Sequence, residues 1–119
     1  MKEEKFKVIQ FIREFNIRAD KELENFPRKY FEIKTKIKNN SYEILEMAYE
    51  ANLIKNIEKK TELLNKIIAK IKIIDFLLNL SYDKQIISNK KYCKFGEKLD
   101  DITKYILGWK KSVEEKKMS

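Results

Sequence analysis

Apolar residues recur along this chain at steps of three and four. The clearest run is the last one, from Ser88 to Lys117, where Tyr92, Phe95, Leu99, Ile102, Ile106 and Trp109 follow at steps of three, four, three, four and three. That is a heptad seam, the pattern of a helix laying one apolar stripe along its neighbours. Ser88 stands where an N-cap belongs, and Lys110 and Lys111 follow the seam. Gly108 lies inside it, at a cost of about 1 kcal/mol against alanine. With Trp109 it reads as a packing motif where another backbone comes close.

Three earlier helices carry the same signature. Val8, Ile12, Phe15, Ala19, Leu23 and Phe26 give the first one an apolar face over about 3–25, widened near its start by Phe6, Ile9 and Phe11. Pro27 suits the first position of the next helix, where an N–H is not needed. The second helix then covers about 27–57, with Tyr30, Ile33, Ile37, Ile44, Ala48 and Ala51 facing inward, helped by Leu45 and Tyr49. Asn39-Asn40-Ser41 are weak helix formers in its middle and mark a possible kink. A link at Asn56 to Lys59 leads to a third helix over about 60–81. The link Tyr82 to Ile87 leads to the fourth, over about 88–117. Four helices with short links predict an all-α fold, a single antiparallel up-down-up-down four-helix bundle spanning residues 1–119.

The third helix is too apolar for that bundle alone. From Leu63 to Leu80, twelve of eighteen residues are apolar, where about three per heptad fill a helix's own core. The surplus, assigned to Ile68, Ile73, Leu77 and Leu80, predicts an oligomer interface.

Composition sharpens the picture in three ways. Two glycines and one proline leave little turn punctuation, in keeping with an all-helical chain. No apolar run approaches membrane-spanning length, and Met1-Lys2-Glu3-Glu4 opens no secretory signal. One cysteine, Cys93, allows no internal disulfide, so the expected location is cytoplasmic. The net charge of +8 points to a polyanionic partner.

Charge is unevenly placed. Arg28, Lys29, Lys34, Lys36 and Lys38 face only Glu32 between Pro27 and Tyr42, and Lys90, Lys91, Lys94 and Lys98 face only Glu97 between Ser88 and Leu99. In an antiparallel bundle the second and fourth helices start at the same end. These nine residues therefore form one expected basic, nucleic-acid-binding end that neutralises phosphates without reading sequence. Tyr30, Tyr42 and Tyr92 lie near enough in sequence to stack on bases, although tyrosine in a seam is more often core. The competing reading is a solvated surface of flexible lysines.

Catalytic chemistry finds little support. The chain has no histidine, which removes the usual triads and the usual general acid–base group. Glu43, Glu46 and Glu50 share a helix face but lack the Glu-x-x-His partners of a di-metal bundle, so neither metal nor cofactor is expected. They read as solvated acids paired with lysines. Cys93 reads as a packed, inert thiol, and the chain as a non-enzyme.

Two stretches resemble a known family. Asn25-Phe26-Pro27-Arg28-Lys29, and Leu99-Asp100-Asp101-Ile102-Thr103-Lys104-Tyr105-Ile106-Leu107-Gly108-Trp109, look like the Avd-like four-helix-bundle proteins. That family comprises the accessory variability protein of diversity-generating retroelements and the proteins of 23S ribosomal RNA intervening sequences. The similarity runs from about Phe6 to Val113 and includes Ile87-Ser88. It implies a homopentameric barrel with a basic surface. In the retroelement branch it also implies binding to a reverse transcriptase and to RNA or DNA during mutagenic cDNA synthesis. Asp75 and Asn79 depart from the basic residues that family members often carry there. The expected function is thus a nucleic-acid-binding polymerase accessory. The alternative is a protein-interaction module of the intervening-sequence type with no nucleic-acid role.

Overall fold

The computed structural model describes residues 2–118 and the side chains of residues 7–117; the place of Phe6 in the first helix face lies outside these. Along the described residues run α1 (Lys2–Glu22), a 3₁₀ turn (Arg28–Tyr30), α2 (Phe31–Leu53), α3 (Ile57–Asp83) and α4 (Asn89–Met118). α1 and α3 each pack against both α2 and α4, and among the described residues no diagonal pair of helices comes close. The result is the antiparallel up-down-up-down four-helix bundle, a rod of 51 × 22 × 19 Å. Its length follows from α4, whose 30 residues span about 45 Å at 1.5 Å each. No described helix is long and apolar enough to cross a membrane.

The helix ends differ from expectation where local chemistry intervenes. α1 stops at Glu22 rather than near residue 25, and residues 23–25 form a turn ahead of Pro27. Pro27 itself is extended (ψ 143°) and precedes the 3₁₀ turn instead of opening α2. α2 ends at Leu53 and α3 starts at Ile57, both earlier than predicted. The Asn56 side chain decides this by accepting the Lys59 N–H at 2.9 Å, as an N-cap does. Ser88 caps α4 as expected, its Oγ accepting from Lys91 N at 3.1 Å.

α3 ends in a Schellman motif. Ile86 N donates to Ser81 O and Gln85 N to Tyr82 O, both at 2.9 Å, with Gln85 left-handed at φ 61°. The motif turns the chain sharply into α4 and sets the top of α3 beside its start.

α2 runs unbroken through Asn39-Asn40-Ser41. Asn40 Nδ2 donates to Lys36 O at 2.7 Å, and Ser41 Oγ to Ile37 O at 2.7 Å. Each weak former costs a few tenths of a kcal/mol, whereas burying one isoleucine is worth about 2 kcal/mol. Ile37 and Ile44 on either side are fully buried, so packing wins.

The seams fill the core as read. Val8, Ile12, Phe15, Ala19 and Leu23 meet Phe95, Leu99, Ile102, Ile106, Trp109 and Val113, with the Phe15 and Phe95 rings edge-on at 5.6 Å. Ser41 occupies a core position of α2, and Asn16 bridges to it from α1, donating to Ser41 O at 2.9 Å. Tyr49 is exposed, not inward. Trp109 is buried at 4% exposure and carries the packing of its motif, with Gly108 half-buried beside it.

The surplus on α3 divides. Leu77, expected at an oligomer interface, is buried in the chain's own core, and Ile68 packs against that core. Ile73 remains 50% exposed and Phe76 60%, with Leu80 half-buried one turn on. The stripe available to another chain is therefore Ile73, Phe76 and Leu80, because helix rotation turns Leu77 inward.

Candidate nucleic-acid interface

One end of the rod collects the C-terminus of α1, the 3₁₀ turn, the start of α2 and the α3–α4 turn. Two of the predicted lysines build this end rather than decorate it. Lys91 Nζ donates to Glu22 O at 3.1 Å, and Lys34 Nζ to Glu24 O at 3.2 Å. Lys91 places a cation on a carbonyl at the negative end of α1, and Lys34 places one on the turn that follows. Each ammonium keeps its charge and two further donors while it is held there.

Two more lie farther down the rod and face acids. Lys38 Nζ meets Asp20 Oδ1 at 2.7 Å, tying α2 to α1, and Lys36 lies 3.7 Å from Glu32. The hydrogen bond from Lys38, and then its charge, hold the Asp20 carboxyl below its ordinary value. The same hydrogen bond raises Lys38. Lys98 stands nine residues into α4, about 14 Å from the tip at helical rise, in a shallow groove with Glu14, Ile17, Arg18, Lys21 and Glu22. It does not belong to the end cluster.

What remains at the tip is smaller and freer. Arg28, Lys90 and Lys94 are exposed and have no ion pair among the described residues. Lys29 Nζ lies 5.1 Å from the centroid of the Tyr30 ring. Lys84 Nζ lies 5.3 Å from the same ring. A cation on a ring face keeps its charge and is loosely held, at about 0.5–1 kcal/mol when exposed. Exposed Glu24 and Asp83 share this end, while Glu22 and Glu32 there are paired with Arg18 and Lys36.

Lys84 lies in the α3–α4 connection, outside the helical segments whose charge the sequence pattern groups. In an up-down bundle that turn lies at the same end as the start of α2, which is the signal for its place at the tip. Tyr42 sits mid-helix and away from the tip, while Tyr30 and Tyr92 are at it, half-buried. Tyr92 accepts a hydrogen bond from Asn79 Nδ2 at 2.7 Å.

Other singled-out groups have plain surroundings. Glu43 pairs with Lys70 at 2.7 Å. Cys93 is exposed rather than packed, its Sγ 3.8 Å from Asn89 Oδ1, because its position rotates off the seam. No family model, no curated protein and no solved structure matches the chain. None of these comparisons identifies the Avd-like family.

Proposed function

We propose that this protein is a non-enzymatic accessory protein that holds RNA or DNA at the basic tip of its bundle and presents it to a reverse transcriptase in the cytoplasm. The observation that carries the proposal is the convergence of Arg28, Lys29, Lys84, Lys90 and Lys94 on one end without acid partners. The polymerase comes from the family resemblance, and the stripe of exposed Ile73 and Phe76 with half-buried Leu80 supplies a surface for assembly into a ring or for the polymerase itself.

Such a tip binds through counterion release. Four or five phosphates neutralised predict a slope of log K against log salt of about −3 to −4.5. The test is anisotropy with a labelled RNA from low to high salt, repeated on a variant with Arg28, Lys29, Lys90 and Lys94 changed to Ala. Binding that weakens in the variant while its oligomeric state stays intact supports the proposal. Absence of binding at low salt overturns it and leaves the protein-interaction reading, which the same apolar stripe favours.

A further inference from the structure

We propose, resting on the nucleic-acid reading above, that the tip takes single-stranded rather than paired nucleic acid by stacking an unpaired base on Tyr82. Tyr82 lies in the last turn of α3. Its ring is parallel to that of Tyr92 on α4, with centroids 5.1 Å apart and planes 8° apart. The bundle's other described ring pairs are tilted: Phe11–Tyr105 by 55° and Phe15–Phe95 by 63°. The parallel pair is the one at the basic end.

The two rings of the stack are held unequally. Tyr92 packs against the core, and its hydroxyl accepts from Asn79 Nδ2 at 2.7 Å, so the inner ring is fixed in place and in plane. Tyr82 remains 38% exposed. A flat aromatic surface, immobilised from behind and open to water, is what sequence-tolerant single-strand binders use, because every base has a π-face. Stacking one base there changes affinity by about 5- to 150-fold.

Phosphate partners stand close in the chain. Lys84 follows Tyr82 by two residues, and Lys90 and Lys94 flank Tyr92 on α4. Paired bases are buried within their own stack and offer Tyr82 nothing, so a duplex meets only these cations. The rival role for the stack is mechanical, joining the top of α3 to α4, and it predicts no dependence on bases.

The test uses the full chain and three labelled probes: a mixed-sequence single-stranded DNA dodecamer, the same dodecamer with abasic sugars throughout, and its duplex. The wild-type protein should bind the base-bearing strand about tenfold tighter than the abasic one. Tyr82→Leu should erase that difference while leaving the abasic strand and the duplex unchanged, and Tyr82→Phe should keep it. Equal wild-type affinity for base-bearing and abasic strands overturns the stacking proposal while leaving phosphate binding intact, and that comparison needs no variant to fold. Tyr82→Leu weakening the duplex as much as the single strand overturns it too. No binding to any probe at low salt removes the nucleic-acid reading itself.

Discussion

Gly96 offers a substitution whose sign runs against the usual one. It is the eighth residue of α4, far from either end, and its φ is not positive. A Cβ built on it meets nothing within 4 Å. Gly96→Ala therefore adds a methyl that neither clashes nor packs, and what remains is backbone. Glycine in a helix interior is worse than alanine by about 0.8–1 kcal/mol, chiefly through the entropy its unfolded chain retains. Gly96→Ala should stabilise the protein by about that amount. In urea, with m near 2 kcal/mol/M, the midpoint rises by about 0.4–0.5 M with m unchanged. On heating, Tm rises by about 3–5 °C. Trp109, the chain's one tryptophan, is buried in the core and reports unfolding by fluorescence. A lowered midpoint would refute the reasoning, since it requires atoms close to Gly96. Repeating the melt over a range of protein concentrations shows whether those atoms belong to a second chain.

Three further outcomes follow from other parts of the bundle. Gln85→Gly relieves a left-handed residue at the end of α3 and should raise stability by about 0.5–1 kcal/mol after the entropy of the new glycine is subtracted; an unchanged urea midpoint would show the turn to be unstrained. Phe95→Ala empties a fully buried core site against Phe15 and should cost about 3–5 kcal/mol, with a double-mutant cycle against Phe15→Ala giving about 0.5–1.5 kcal/mol of coupling. Asp20 titrates below its ordinary 3.8 in the fold because Lys38 favours the carboxylate. The stability it lends is complete above pH 3.8 and is lost as pH falls through the lower folded value. Wild type and Asp20→Asn should therefore differ in urea melts at pH 6 and converge at strongly acidic pH, and a gap that persists there counts against the ion pair. Lys38, raised above 10.5, gives the mirror image, its contribution being lost only as pH climbs past that raised value.

Which face of each helix turns inward is written in the local order of residues. Helical periodicity is a local property, so Phe95, Leu99, Ile102, Ile106 and Trp109 could be placed on one stripe without knowing what they would meet. It also determined the all-α class and the bundle topology, because short links leave antiparallel neighbours few alternatives. Which basic residues lack an acid partner is settled by the assembled bundle. Lys91 rests on a carbonyl 69 residues away with its charge intact, whereas Lys38 is paired with an acid on another helix. Lys84 joins the tip through a turn that no periodicity describes, and Tyr82 meets Tyr92 across the same turn. Those pairings depend on the rotation and offset of whole helices, which the summed burial of all four seams sets and no single stretch of sequence contains.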